Sequence, residues 1–377
     1  VSGIYIHIPF CKKACHYCDF YFTTSLQQES IMVEAICTEL VLKKERIKGN
    51  VASIYFGGGT PSILSEESLG KIFDTIFKNY TVDRQAEVTF EANPDDLTQE
   101  KIKLFKRFPI NRFSIGIQSF FNEDLVWMNR AHNANEAETC VQLAQDNGFE
   151  NLTIDLIYGF PLLTDLKLES NLDKALDLQI PHISAYALTV EPRTALAYAI
   201  KTKKQPPISD KQSADQFITL MEKLSANGFE QYEISNFAKP GNYAVHNTNY
   251  WRGVPFIGIG PSAHGFDGAN RTMNPANNAV YLQKLEKDIL PEQVEILSIK
   301  NRFNEYVMTS LRTMWGLSLD KVKQDFGETF LLATKKQLPK FLANGWLLQK
   351  GETIYLTQSG KLFADHIASE MFVVEED

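Results

Sequence analysis

Three of the five cysteines fall within eight residues, Cys11-Lys12-Lys13-Ala14-Cys15-His16-Tyr17-Cys18, directly after the apolar run Ile4-Tyr5-Ile6-His7-Ile8-Pro9-Phe10. Thiolates this close repel one another unless a metal takes up the charge. They supply three ligands and leave one metal position open, as a catalytic or ligand-binding metal site requires. Two metal readings stand: a zinc loop closed by His16 or a distant residue, and a 4Fe–4S cluster with one iron free of cysteine. Closing a tetrahedron with His16, next to Cys15, would strain the loop. A disulfide framework is disfavoured, because Cys37 and Cys140 make the total odd and nothing marks secretion.

Other residues with chemical potential recur along the chain. Gly57-Gly58-Gly59-Thr60-Pro61 exposes backbone to close approach but lacks the ending of a phosphate-binding loop. Glu91, in Glu91-Ala92-Asn93-Pro94, can accept bonds from a ribose or an ammonium. Gln118 both donates and accepts, and Arg130 presents a fork that suits a carboxylate. Asp155 lies inside an apolar strand pattern, where an unpaired carboxylate is costly. Each also has a structural reading: a tight turn for the glycines, a helix N-terminal carboxylate for Glu91, a surface ion pair for Arg130.

Strand patterns at 4–8, 53–56, 87–90, 112–117, 153–158 and 183–188 place these residues. Helical patterns run between them over 29–48, from Ser65, after Thr98, and after Asn135 with Glu138 as capping-box partner. Another covers 209–226 and stops at Asn227-Gly228. Six such units predict a parallel α/β sheet curled toward a barrel, two units short of a closed one. Barrel chemistry sits on loops leaving strand C-termini, and each motif falls there: the cysteine loop, the glycine turn, Glu91 and Gln118 after strands one to four, Asp155 within strand five, Ala187 at the end of strand six. Tyr5 alternates with Ile4 and Ile6, so it shares a face with His7. The barrel is expected over 1–230. Residues 231–290, rich in Asn, Gly, Pro and aromatics, read as an irregular connecting segment. Residues 291–377 read as a small winged-helix-like α+β unit with a hairpin near its end.

The 377 residues suffice for one large and one small domain. Net charge is -8 and the sequence pI about 5.5, so nucleic acid is not expected as a partner. The segment 291–377 carries ten Lys/Arg against twelve Asp/Glu, which argues against DNA binding by the winged unit. Lys43-Lys44-Glu45-Arg46 and Lys201-Thr202-Lys203-Lys204 read as solvated surface, and Glu375-Glu376-Asp377 as an acidic tail. No apolar run reaches the about 18–20 residues of a membrane span, and no signal-peptide pattern shows; a cytoplasmic, reducing setting is expected. The chain starts at Val1 rather than Met, which leaves room for preceding residues. Cys37 and Cys140 read as small buried hydrophobes. His7, His132, His182 and His366 read as structural.

Cys-x3-Cys-x2-Cys behind a strand, with Tyr17 before the last cysteine, resembles the signature of the radical S-adenosylmethionine (SAM) superfamily. Tyr5-Ile6-His7-Ile8-Pro9-Phe10-Cys11 and Tyr17-Cys18-Asp19-Phe20 are similar to the branch holding oxygen-independent coproporphyrinogen oxidase and the HemW-type heme chaperones. The resemblance implies a partial (βα)6 TIM-like barrel with a HemN-type C-terminal domain. It implies a 4Fe–4S cluster on Cys11, Cys15 and Cys18. It also implies SAM, met by Tyr5, Tyr17, Gly58, Gly59, Thr60, Glu91, Gln118, Arg130, Asp155 and Ala187. Two departures set the chain apart from the oxidases: Phe20 stands where they carry a further cysteine, and only four residues precede Tyr5. His246-Asn247-Thr248-Asn249-Tyr250-Trp251 matches the HNxxYW motif of the heme chaperones. It implies heme bound with His246 as axial ligand and with Tyr250 and Trp251 against the macrocycle. His264 is the rival ligand, and without the resemblance a lone His in such a loop reads as structural. The expected function is a heme chaperone that passes heme to acceptor hemoproteins, membrane-associated ones among them, with a homodimer as one arrangement. The alternative is a coproporphyrinogen III oxidase or another radical SAM enzyme.

Overall fold

Ile4, Ile6 and Ile8 are fully buried, while Tyr5 and His7 between them face the opposite side. This alternation makes β1 (Ser2–Ile8) a strand with a helix-covered face and a functional face. The structure, a computed structural model, describes residues 2–374; the Val1 start and the acidic tail at 375–377 lie outside the described residues.

β2 (Val51–Gly58), β3 (Val82–Ala92), β4 (Arg112–Gln118), β5 (Leu152–Tyr158) and β6 (His182–Ala187) follow β1 in unbroken parallel order. Between them run α1 (Glu29–Leu42), α2 (Glu66–Asn79), α3 (Gln99–Phe105), α4 (Asn122–Trp127), α5 (Ala134–Asp146) and α6 (Asp165–Asp177), with α7 (Ala195–Lys201) and α8 (Asp210–Ala226) after β6. Side chains of Ser65, Thr98 and Ser209 accept backbone N–H groups and start α2, α3 and α8. At α5 the capping box is Asn133 with Glu136, two residues ahead of the expected pair. Asn-x-x-Glu occurs in both registers, and the helix in its observed frame buries Ala137, Cys140, Val141 and Ala144. α1 stops at Leu42, short of 48. Lys43, expected at a solvated surface, is buried: its ammonium meets Glu39 at 2.6 Å and Glu292 at 2.9 Å and donates to the Gly258 carbonyl at 2.8 Å.

Residues 231–290 are not irregular; they widen the sheet at both edges. β7 (Glu230–Glu233) and β8 (Asn236–Ala238) add antiparallel strands beside β6. After α9 (Val245–Trp251), β9 (Phe256–Ile259) pairs parallel with β1, and β10 (His264–Phe266), β11 (Asn270–Met273) and β12 (Gln293–Ile296) continue antiparallel. α10 (Asn278–Leu285) packs on α1. Strands of three or four residues carry too little alternation to stand out in a sequence. The twelve strands run β12-β11-β10-β9-β1-β2-β3-β4-β5-β6-β8-β7, and the two ends do not pair, so the barrel stays open.

The C-terminal unit has its own core, which includes Phe303, Val307, Leu311, Phe341, Ile354 and Ile367. Its elements are α11 (Ile299–Leu311), β13 (Leu317–Ser318), α12 (Leu319–Phe326), α13 (Glu328–Ala343), the hairpin β14 (Leu347–Lys350) and β15 (Thr353–Leu356), α14 (Gln358–Lys361) and α15 (Ala364–Glu370). Its sheet is ordered β13-β15-β14. A Glu233–Thr313 bridge and the Met314 N–H on the Tyr232 carbonyl, at 3.0 Å, join it to the barrel.

Candidate functional site

The C-terminal ends of β1–β6 open into one cavity of about 2190 Å³, which continues to the C-terminal unit. Every candidate from the sequence lines it: the three cysteines, Tyr5, Tyr17, Gly58, Gly59, Thr60, Glu91, Gln118, Arg130, Asp155, Ala187, His246, Tyr250, Trp251 and the rival His264.

The cysteine loop is held by its neighbours. Gly59 brings the end of β2 against it: a Cβ there would lie 2.4 Å from the Phe10 carbonyl oxygen. The Gly59 N–H donates to the Ile8 carbonyl at 2.8 Å and the Thr60 N–H to that of Phe10 at 2.6 Å. Thr60 Oγ1 donates to Cys11 Sγ at 3.4 Å. Asn129 Nδ2 donates to the Ala14 carbonyl at 2.6 Å, and Lys12 pairs with Asp95 and Asp96. His16 turns its Nδ1 to the Trp127 carbonyl at 2.9 Å.

Among the described residues no three His, Cys, Asp or Glu side chains are grouped to hold a single metal ion. Burial pushes the Cys11 thiol up to about 11 and the Cys18 thiol up to about 12, so both favour the neutral form unless a cation is bound. Arg130 Nη1 donates to Cys15 Sγ at 3.3 Å, and Nη2 to Asn93 Oδ1 at 2.6 Å and the Gly116 carbonyl at 2.8 Å. Arg130 Nε and Thr89 Oγ1 are buried with no partner among the described residues. Three half-buried thiols lining the cavity beside orphaned buried polar atoms fit a resident cluster with a polar ligand next to it.

Two carboxylates face the same interior. Glu91 Oε1 accepts the Tyr55 hydroxyl at 2.6 Å; burial, then the charge of Asp155, raises its pKa to about 7. Asp155 is pushed up to about 6 by burial, against the neighbouring Ser184 hydroxyl and the charges of Arg130 and Arg112. Gln118 closes β4 with φ at 68°, a left-handed conformation costly for a non-glycine residue. His7 is fully engaged, with Nδ1 on the Tyr5 hydroxyl at 3.2 Å and Nε2 on the Tyr21 carbonyl at 2.9 Å. His182 is likewise held by Thr153 at 3.1 Å and Tyr232 at 2.8 Å.

His246 is held differently. Glu87 accepts the Val245 and His246 N–H groups at 2.8 and 2.9 Å and so caps α9 with a carboxylate. Ser53 Oγ meets His246 Nδ1 at 2.9 Å, which leaves Nε2 as the ring atom open to a ligand. The ring centre lies 5.1 Å from Tyr55, 6.1 Å from Phe256 and 6.4 Å from Tyr5. Burial lowers its pKa to about 4, so the imidazole is neutral, the form that ligates metals. The Tyr250 and Trp251 rings stand edge to face 5.2 Å apart. His264 reaches the cavity from β10, exposed and with no ring hydrogen bond among the described residues. Sequence reading missed Ser53, Tyr55 and Glu87. The available signal was period two: Glu87 and Thr89 share a face with Glu91, and Ser53 with Tyr55.

Residues 5–175 match the radical SAM superfamily and residues 297–363 the HemN C-terminal domain. Over 373 residues the chain is 35% identical to heme chaperone HemW of Bacillus subtilis, covering 97% of this chain and 98% of that protein. It is 32% identical to heme chaperone HemW of Escherichia coli, over 99% and 98% of the two. Coproporphyrinogen III oxidase (HemN) of Escherichia coli, a radical SAM enzyme, has the same fold, with a TM-score of 0.86 over 98% of this chain and 90% of that one at 22% identity. With its cysteine loop at the mouth of an open barrel and full-length identity of this order, the chain belongs to the radical SAM superfamily and, within it, to the family of the heme chaperone HemW.

Proposed function

We propose that the protein binds heme in the cavity and passes it to acceptor hemoproteins, with a 4Fe–4S cluster and SAM held beside it. The cluster and SAM follow from the superfamily; their ligands are proposed from position. Cys11, Cys15 and Cys18 hold three irons. The Gly58-Gly59-Thr60 backbone and Tyr5 flank the SAM amino end, and Arg130 its carboxylate. Glu91, Gln118 and Asp155 take its ribose hydroxyls and positive charge, with Tyr17 and Ala187 closing around it. Bound there, cluster and SAM supply one-electron cleavage of a carbon–sulfur bond.

The observation that carries the heme reading is the tethered, neutral His246 imidazole in the same cavity as the thiols, with Nε2 unclaimed. The volume supports it: pockets for one drug-sized ligand run about 300–1,000 Å³, and this cavity is about 2190 Å³. Tyr250 and Trp251 offer flat faces to a macrocycle. Phe20, in place of the further cysteine of the oxidases, supports carriage over porphyrinogen oxidation. Three thiols that must stay reduced support a cytoplasmic setting, and among the described residues no helix is long and apolar enough to cross a membrane.

Heme titration of the anaerobically reconstituted protein tests this. A Soret band shifted from that of free heme should develop, be lost or displaced in His246→Ala, and persist in His264→Ala. Conversion of coproporphyrinogen III to protoporphyrinogen in the presence of SAM would overturn the chaperone reading.

A further inference from the structure

The polar stripe of α11 does not face open solvent. Phe303, Val307 and Leu311 fill the C-terminal core, while Arg302, Glu305, Tyr306, Thr309 and Ser310, spaced three and four apart, line the cavity shared with the barrel. In this half of the cavity donors outnumber acceptors. The Arg302 Nε and the Trp251 indole Nε1 are buried with no acceptor among the described residues. Arg252 lies over the Trp315 ring, 4.2 Å from its centre, and has no carboxylate partner among the described residues. The acids on this wall are already engaged, Glu305 with Arg271 at 3.1 Å and Asp325 with Lys321. Around the whole cavity eight lysines and arginines stand against six aspartates and glutamates, although the chain carries a net charge of -8. Unmet buried donors are rare and costly, and a ligand that brings carboxylates satisfies them.

We infer that the Trp251 indole N–H and Arg302, with Arg252, receive the propionate carboxylates of a bound tetrapyrrole whose metal faces His246 Nε2. The inference rests on the heme reading and adds an orientation to it: the acidic edge of the ring points at α11. It also explains why the C-terminal unit turns a polar helix face inward.

The test titrates the cluster-loaded full chain with heme and with heme dimethyl ester, which keeps the iron and ring and lacks both carboxylate charges. The wild type is expected to bind heme at least about tenfold more tightly than the ester, the scale of a charge-assisted hydrogen bond. Trp251→Phe keeps an aromatic face and removes one N–H; Arg302→Gln removes the charge. Each should weaken heme binding about five- to tenfold and ester binding clearly less, with Arg302→Lys recovering part of the loss. Equal affinity of the wild type for heme and ester, or equal weakening of both ligands in the variants, overturns the inference while the Soret band persists. A Soret band that stays at its free-ligand position with both ligands in the wild type fails the heme reading itself and the inference with it. The wild-type comparison needs no variant, so a folding defect in a substituted chain still leaves a decisive result.

Discussion

Replacing Glu91 by Gln separates two consequences of one buried carboxyl group. Burial, with Asp155 nearby, raises Glu91 from 4.5 to about 7 in the folded protein. A carboxyl raised in this way favours folding fully below its unfolded pKa and progressively less as pH climbs through its folded one. At ~1.36 kcal/mol per pH unit, the interval from 4.5 to about 7 amounts to about 3 kcal/mol of stability lost as the site ionises. For a chain of this length that is about 4 °C in Tm, from about 2.1 cal/mol/K of unfolding entropy per residue. Between pH 4.5 and 7.5 the Tm of SAM-free wild type should therefore fall about 4 °C more than that of Glu91→Gln. SAM affinity should move the opposite way. A cationic ligand needs the ionised carboxylate, so wild-type affinity drops about tenfold per pH unit below 7, while the variant binds weakly and with little pH dependence. Differential scanning fluorimetry and equilibrium dialysis of labelled SAM, at matched pH values, read both arms. Parallel pH curves for the two proteins in either assay would refute the account of Glu91 as a destabilising residue kept for its ligand.

Ser53→Ala removes a neutral hydrogen bond from His246 worth about 1 kcal/mol, so heme titration should give a Kd about fivefold weaker. Gly59→Ala drives a methyl to 2.4 Å from the Phe10 carbonyl oxygen and should displace the cysteine loop, lowering iron and sulfide content after reconstitution; Gly49→Ala, with nothing within 4 Å, should load fully. Lys43→Met leaves buried Glu39 without its cation, while Glu292 keeps Arg46, and should cost about 3–5 kcal/mol in urea unfolding. Lys71→Met, at an exposed pair with Glu34, should leave the urea midpoint almost unchanged.

Much of the barrel was legible because its strands alternate and its helices carry side-chain caps: Ser65, Thr98 and Ser209 start helices where expected. The cap of α5 was not, because two overlapping Asn-x-x-Glu frames differ only in which residues they bury. Lys43 was misread as surface because its partners lie four residues away in Glu39 and far along the chain in Glu292, and only the fold brings both to it. The strands between 231 and 290 escaped notice because three- and four-residue edges take their form from the sheet they join rather than from their own pattern. At the site, the residues with unusual local motifs could be found in the sequence. For Ser53 and Glu87 period two gives only the inner face; nothing near them foretells that α9, some 160 to 190 residues later, docks on them.

Glu87, which anchors α9, and Glu91, which faces the thiol end of the cavity, sit four residues apart on β3. At about 3.3 Å per residue the strand sets their backbones about 13 Å apart. Such a strand is a ruler that both ends share. A one-residue insertion or deletion between the two glutamates would flip one of them to the outer face, so a lineage cannot lengthen one half of the cavity by a single residue without dismantling the other. Drift in what this protein carries therefore runs more readily through side chains and the short edge strands of the sheet than through single-residue changes in the length of β3.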